Sequence, residues 1–292
     1  MVSRVESNHR MKMINMITIF AMASERSGTK YLAELFKYNI KNCVSKHEPF
    51  LFDMFGKPIY WYQQNEVEKI RRRFKLKKLI IDSYRTDVYV ETSHAFLKSF
   101  ADVAMEFYPD MKLIHVLRNP LENTKSQFNR PVWVGEPEQQ SYRNPIFTYR
   151  GNDKKMYLKW TLTGEEQIFQ ETEGPLNRYQ KLLLQWIELE NRSMDLLKKY
   201  NKYRDCYTLV MPRDFNDEKK IRDMLSSFNL TLNKNDIFMN VDRNTAKSPT
   251  IITDEEYSQL NDLITRVPNK YLDIFRKTPY TQCDWAKLLI KH

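Results

Sequence analysis

Four consecutive residues, Arg26, Ser27, Gly28 and Thr29, combine a permanent positive charge, two hydroxyl groups and a flexible backbone position. They follow an apolar run that predicts a strand, and they precede a predicted helix. In such a turn the free N–H groups at the helix N-terminus hold an anion, and arginine adds a planar fork of donors. The residues therefore indicate a phosphate site. The alternative is an ordinary helix cap made by Ser27 or Thr29, with Arg26 solvated.

The same loop lacks the parts that ATP chemistry uses. A Walker A loop has the form GxxxxGK[ST], but Ser24 and Thr29 stand at its two glycine positions and Tyr31 follows Lys30. The hydroxyl group that would hold Mg²⁺ is therefore missing. This pattern argues against a standard nucleotide kinase.

A second anion-binding pattern lies at 114–128, IHVLRNPLENTKSQF. It predicts a buried strand that ends at Arg118 and a helix that begins near Pro120. Ser126 lies eight residues after the arginine, so a charged fork and a hydroxyl group can converge on one phosphate. Arginine before Asn-Pro is also common in loops, which is the alternative interpretation.

Alternating apolar runs and helical periods indicate which elements position these residues. The sequence predicts an α/β fold: three layers, with a mainly parallel central sheet and helices on both faces. Such a sheet binds ligands at the carboxyl ends of its strands, where the loop at 23–28 lies. The predicted strands are 14–22, 88–93, 112–117 and 206–211, and the predicted helices are 29–38, 95–108, 120–128, 177–200 and 216–228.

The whole chain, 1–292, is expected to form a single domain. Residues 1–12 are expected to be a mobile arm. Residues 129–175 contain several prolines and aromatic residues and no long periodic run. A connection of this length is usually functional or disordered, so we interpret it as a lid or an acceptor-binding insertion.

Composition narrows the function classes. The chain has 292 residues, 41% of them hydrophobic, and a net charge of +10, which favours an anionic partner. No nucleic-acid-reading motif accompanies the charge, so nucleic acid is not expected. The basic run at 69–78 is either the solvated face of a helix or a landing surface for an acidic acceptor.

Localisation follows from three observations. Three widely spaced cysteines argue against a disulfide framework. The apolar stretch at 11–23 is far shorter than the ~20 residues that span a bilayer. It also lacks a plausible signal-peptide cleavage site. We therefore expect a cytoplasmic protein without a transmembrane segment.

Together the two anion patterns resemble the sulfotransferases that use 3'-phosphoadenosine 5'-phosphosulfate (PAPS). In that family (K/R)SGT(T)xL holds the 5'-phosphosulfate and a later RxPxxxxxS holds the 3'-phosphate. Here SERSGTKYL and LRNPLENTKS match these patterns, about 90 residues apart and in the same order. Further similar segments are NCVSKHEPF, YVETSHAF, QWIELENRSMDLL and YTLVMPRDFNDEKKIRDMLSSFNL, so the resemblance spans roughly 14–230.

The resemblance implies in-line transfer of a sulfuryl group from PAPS to a hydroxyl or amine, releasing adenosine 3',5'-bisphosphate without a metal. It implies that Arg26, where many relatives have lysine, stabilises charge on the oxygen between sulfur and the 5'-phosphate. The expected phosphate-binding residues are Arg26, Ser27, Gly28, Thr29 and Lys30 at the 5' end, and Arg118 and Ser126 at the 3' end.

The acceptor hydroxyl needs a base within hydrogen-bond reach, and the resemblance offers two. His94 corresponds to the histidine of small-molecule-acting members. Glu48 corresponds to the glutamate of many carbohydrate- and protein-acting members and is the preferred candidate, with His47 beside it as a substrate contact. A backbone-bonded histidine and a surface carboxylate are the alternatives.

Two further pairs of residues are candidates for binding, one from the resemblance and one from the aromatic content of the insertion. Arg243 and Lys247 lie where many members grip the 3'-phosphate, but the glycines of that motif are absent, and the alternative, an ordinary basic loop, is preferred. Trp133 and Tyr149 are expected to line an aromatic acceptor site, or else to pack the insertion. The acceptor itself, anionic or ring-bearing, is not determined by the sequence.

Two other function classes remain as alternatives. A divergent nucleotide kinase would turn over ATP with Mg²⁺. A non-catalytic module would keep the fold and bind polyanions through its basic surface, with a steep salt dependence.

Overall fold

The computed structural model describes residues 16–129, 147–241 and 251–290. The expected arm at 1–12 and three expected site residues, Trp133, Arg243 and Lys247, lie outside these ranges. Within them, no helix is long and apolar enough to cross a membrane.

The centre of the fold is a parallel sheet of five strands, in the order β2-β3-β1-β4-β7. The predicted strands at 14–22, 88–93, 112–117 and 206–211 correspond to β1, β3, β4 and β7, which confirms the predicted fold class. The edge strand β2 was not predicted, because CVSK is half-buried and has no apolar run. The five strands are β1 Ile17–Ala23, β2 Cys43–Lys46, β3 Val88–Glu91, β4 Lys112–Arg118 and β7 Cys206–Met211. A separate antiparallel hairpin pairs β5 Thr148–Arg150 with β6 Met156–Leu158.

Helices cover both faces of the sheet. All five predicted helices are present, within a residue or two at most ends, although the segment 95–108 is divided in two. It begins with a π-helical turn, Phe96–Phe100, which continues as α4. The α-helices are α1 Thr29–Asn39, α2 Lys57–Gln63, α3 Val67–Ser83, α4 Ala101–Phe107, α5 Pro120–Phe128, α6 Gln167–Glu171, α7 Arg178–Lys199, α8 Glu218–Ser227, α9 Asp254–Arg266 and α10 Asn269–Leu272.

The side chains of β1 alternate between the two faces of the sheet, and each face has its own hydrophobic core. Phe20 and Met22 point to the face covered by α3, α4 and α7, whereas Ile19 and Ala23 point to the face covered by α1 and α8. Successive side chains of a strand point to opposite sides of a sheet, and here both sides are buried. This explains the continuous apolar run that marked β1 in the sequence.

The basic run at 69–78 lies on α3, and most of its cations face solvent in ion pairs. Arg71 contacts Glu106 at 2.7 Å, for example. Lys77 is different: it is only 3% exposed and its Nζ lies 2.8 Å from Oε2 of the buried Glu91. The helix face is therefore mostly solvated, with one lysine used inside the core.

Candidate active site

Four functional segments meet at one edge of the sheet because they follow the carboxyl ends of four adjacent parallel strands. The register pairs Lys46 with Glu91, Glu91 with Phe20 and Ala23 with Val116, so the carboxyl ends of the four strands lie at the same edge within a few residues of one another. The loop after β1, the segments after β2 and β3, and the end of β4 therefore lie side by side. This is the edge where parallel α/β sheets bind their ligands.

The loop between β1 and α1, residues 24–28, is called the phosphate loop below. Gly28 has a φ of +83°, and a Cβ atom there would lie 2.4 Å from the Phe215 ring, so both backbone geometry and space require glycine. Arg26 also adopts a left-handed conformation, with φ of 62°. Non-glycine residues rarely do this, and such strain concentrates at functional sites.

No side chain caps helix α1, because its N-cap is Gly28. The alternative interpretation of Ser27 or Thr29 as an ordinary cap is therefore wrong. Ser27 is fully buried and its hydroxyl lies 2.9 Å from that of Ser24. The N-terminus of α1 therefore carries no side-chain cap, and it is the positive end of the helix dipole.

Asn123, on α5, holds the phosphate loop in place. Its amide nitrogen has two N–H donors and lies within hydrogen-bond distance of three acceptors: Oγ of Ser24 at 2.9 Å, the carbonyl of Glu25 at 2.6 Å and Oγ of Ser27 at 3.1 Å. Sequence reasoning missed this residue. Its position, within the second anion pattern and one turn before Ser126, was the only available signal.

The two anion patterns are in direct contact. Nε of Arg26 donates to Oγ of Ser126 at 3.0 Å, and a guanidinium nitrogen of Arg118 donates to the carbonyl of Arg26. Burial lowers the pKa of Arg118, and Glu122 partly opposes this, but the group stays charged at neutral pH. Two arginines and one hydroxyl group therefore converge beside the phosphate loop.

Thr29 and Lys30 follow directly as the first two residues of α1. Thr29 is buried, whereas Lys30 is half-buried. The positive charge of Lys30 is one of several influences on the pKa of His47, and it lowers that pKa. Lys30 thus lies between the phosphate loop and the segment after β2.

The two candidate bases are neighbours rather than alternatives in separate places. Nε2 of His94 lies 3.2 Å from Oε1 of Glu48, and Nε2 of His47 lies 3.7 Å from the same oxygen. Burial alone would raise the pKa of Glu48, but His94, His47 and Lys98 outweigh it and bring the pKa to about 2. Glu48 is therefore an ionised carboxylate at neutral pH, with imidazoles on two sides.

On its buried side, His94 contacts an ion pair that sequence reasoning did not assign. Nζ of Lys98 contacts Oε1 of Glu25, and Lys98 is completely buried. Burial raises the pKa of Glu25, but Lys98 and His94 together lower it below its usual value. Burial lowers the pKa of Lys98, and Glu25 opposes this. We call Glu25, His94 and Lys98 the buried charge cluster.

The sequence contains two signals for this cluster, but neither is specific. Glu25 precedes Arg26 in the loop, and Lys98 lies one helical turn after His94. An exposed salt bridge would have produced the same sequence pattern. Lys98 also belongs to the π-helical turn Phe96–Phe100, and π-helical turns are frequent at functional sites.

A cavity of about 480 Å³ adjoins the site on the side of the 129–175 segment. Strand β6 and the segment that follows it, as far as Phe169, form one wall, and residues 174–185, which include the first turns of α7, form the other. Gln185 lines the cavity, and its Nε2 lies 3.5 Å from Oε2 of Glu25. Tyr149 instead stacks on Tyr157, with ring centroids 5.6 Å apart, and does not line the cavity.

Within the described ranges, no group of three or more histidine, cysteine, aspartate or glutamate residues could hold a metal ion. No protein-family model and no curated protein sequence matches the chain. Among solved structures the chain is similar to a sulfotransferase from Alicyclobacillus acidocaldarius, with 16% sequence identity and a TM-score of 0.40. That similarity covers 87% of this chain and 98% of the other.

Proposed function

We propose that the protein transfers a sulfuryl group from PAPS to a hydroxyl or amine of a small acceptor. The observation that carries this proposal is the 3.0 Å contact between Arg26 and Ser126. It joins two anion-binding segments that are far apart in the chain. A cofactor with phosphate groups at both its 3' and 5' positions needs two such segments side by side.

At the 5' end, the N-terminus of α1 and the guanidinium of Arg26 would hold the phosphosulfate. Ser27 would contribute through its backbone N–H group, because its hydroxyl is used within the loop. Arg26 would stabilise the negative charge that grows on the bridging oxygen as the bond to sulfur breaks. At the 3' end, Arg118 and Ser126 would bind the second phosphate.

Sulfuryl transfer, like phosphoryl transfer, asks for an in-line acceptor and a stabilised leaving group rather than covalent work by the protein. The remaining requirement is a base for the acceptor proton. The Glu48–His94 pair meets it, because the pair lies at the same sheet edge as the phosphate loop. Glu48 is ionised at neutral pH and can accept a proton, and its pKa of about 2 makes it a weaker base than an ordinary carboxylate.

We further propose that the cavity beside Gln185 receives the body of the acceptor. Its wall contains apolar side chains, among them Leu158, Leu162 and Phe169, together with the cations Arg178 and Lys181. Such a lining suits a small molecule with an apolar body. The described part of the 129–175 segment would then serve as the acceptor-binding insertion.

The phosphate sites are tested by thermal-shift titration. Adenosine 3',5'-bisphosphate is expected to raise the melting temperature, since a ligand that binds only the folded state stabilises by ~2.7 kcal/mol at a hundredfold excess over its Kd. Adenosine 5'-monophosphate, which lacks the 3'-phosphate, is expected to bind roughly 10- to 150-fold more weakly, because hydrogen bonds between charged groups contribute about 1.5–3 kcal/mol. Arg118→Met should remove most of that difference.

Two outcomes of this titration would contradict the proposal. A response to ATP with Mg²⁺ but not to the bisphosphate would favour a nucleotide kinase. No response to either nucleotide, together with a steep salt dependence of DNA binding in a separate measurement, would favour a polyanion-binding module.

The acceptor cavity is tested with 4-nitrophenol as a probe. In saturation-transfer NMR with the bisphosphate present, we expect the probe to bind the wild-type protein and not Leu158→Trp, because indole would fill the cavity. Leu79→Trp is the matched control, since Leu79 lies on α3 and is 66% exposed. Equal binding by both variants would place the acceptor site elsewhere.

A further inference from the structure

The hydrogen bonds of Lys98 determine which nitrogen of His94 carries the proton. An ammonium group has three N–H donors and no acceptor. Lys98 has three acceptors around it: the Glu25 carboxylate, the carbonyl of Trp160 at 2.6 Å and Nδ1 of His94 at 3.2 Å. All three donors are used only if Nδ1 of His94 offers its lone pair. The proton of a neutral ring then lies on Nε2, facing Glu48.

Each of the other two protonation states of His94 creates one repulsive contact. If the ring carried its proton on Nδ1 alone, the lone pair of Nε2 would face the ionised Oε1 of Glu48 at 3.2 Å. If both nitrogens were protonated, Nδ1–H would point at the ammonium of Lys98 at 3.2 Å and that hydrogen bond would be lost, although Glu48 and Glu25 would offset the added charge. His94 is 5% exposed and Lys98 is not exposed at all, so water cannot screen either repulsion.

We propose that Lys98 and Glu25 are positioning residues that hold His94 in the Nε2–H tautomer, so that His94 orients Glu48 and Glu48 is the base. Glu25 balances the charge of Lys98 and fixes its Nζ beneath Nδ1. His94 donates to one carboxylate oxygen of Glu48 and leaves the other for the acceptor. The assignment of the base rests on the proposed function, whereas the tautomer does not.

The same ion pair connects the base to the phosphate loop. Glu25 lies between Ser24 and Arg26, and its carbonyl accepts from Asn123. A shift of the loop would therefore move Glu25, and with it Lys98 and His94. Two further titratable groups lie near this cluster: His47, whose Nε2 is 3.7 Å from Glu48 and whose pKa is lowered by burial, and Arg192 on α7, which adds to the lowering of the pKa of Lys98.

Nitrogen NMR of histidine-labelled protein tests the tautomer directly. At neutral pH we expect the His94 signals to show a protonated Nε2 and an unprotonated Nδ1. His47 is an internal reference, because its Nδ1 faces the carbonyl of Thr92 at 3.2 Å and must carry a proton to bond with it. A protonated Nδ1 on His94, in either the other tautomer or the imidazolium, would overturn the proposal. His94→Gln identifies its signals by their loss.

The variant Lys98→Met tests whether Lys98 sets the tautomer of His94 or only fills space in the core. In Lys98→Met, Nδ1 of His94 is left with Oε1 of Glu25 at 3.4 Å as its partner, and we expect Nδ1 to become protonated. An unchanged tautomer in a folded variant would overturn the role given to Lys98. If this variant does not fold, the wild-type spectrum still decides the tautomer.

Activity measurements then assign the base. Glu48→Gln should lower the rate of sulfuryl transfer by ~10²–10⁴-fold, the usual contribution of general base catalysis. His94→Gln should lose much less, because the amide of glutamine also donates to Glu48. The opposite order would make His94 the base. Absence of bisphosphate binding would instead refute the proposed function and leave the tautomer result unaffected.

Discussion

Replacing Arg26 with alanine is expected to lower the rate of sulfuryl transfer by about 10²–10³-fold or more, the loss typical when one preorganised donor to a developing charge is removed. Arg26 is the permanent cation of the phosphate loop, and its left-handed backbone directs its side chain toward Ser126. Water entering the space would stabilise the developing charge poorly. Initial rates with PAPS and 4-nitrophenol measure the effect.

Arg26→Lys provides a graded comparison. Lysine keeps the charge but loses the planar fork, so it cannot contact both Ser126 and the cofactor in the same way. We expect it to retain more activity than Arg26→Ala. Arg72→Ala is the matched control for the loss of one arginine, because Arg72 is exposed on α3. Its rate of sulfuryl transfer should equal that of the wild type. If Arg26→Ala kept wild-type turnover, Arg26 would not act on the bond being broken.

Replacing Lys77 with methionine is expected to destabilise the protein by ~3–5 kcal/mol, the usual cost of breaking a buried ion pair. Glu91 is 2% exposed and would lose its cation. It would keep the hydroxyl of Tyr89, which donates to Oε2 at 2.7 Å. One neutral donor compensates a buried carboxylate incompletely. Urea unfolding followed by circular dichroism measures the loss.

Lys75→Met is the matched control, because Lys75 is exposed on the same helix. Exposed substitutions of this kind usually change the stability by less than about 0.5 kcal/mol. The double variant Lys77→Met with Glu91→Leu should recover part of the loss, since an apolar pair of similar volume often replaces a buried ion pair without cost. Equal stability of the two single variants would mean that the buried pair contributes nothing.

The sequence predicted the elements whose signal is local. β1 is an apolar run, and β4 is apolar between its ends except for the buried His115, because both faces of the two strands are buried. Helix α1 begins at Thr29 because Gly28 ends the preceding loop. β2 carried no such signal, since CVSK is half-buried along its length. Its place in the sheet comes from its pairing with β3, which is a tertiary contact.

The same distinction applies to the site. The types and spacing of Arg26, Arg118 and Ser126 pointed to an anion site before any contact was known. Asn123 and Lys98 could not be identified in this way, because their roles depend on what surrounds them in space. An asparagine on a helix and a lysine near a histidine are usually solvated, and only burial distinguishes these two.

The ring of Phe215 against Gly28 limits which sequences can share this fold. Phe215 also stacks on Tyr31, with ring centroids 5.3 Å apart, and its carbonyl accepts from the Tyr31 hydroxyl at 3.1 Å. Any side chain at position 28 would have to displace that ring. Homologues should therefore vary at positions 28, 31 and 215 together. The residue type at position 215 would then indicate whether a homologue keeps the shape of the phosphate loop.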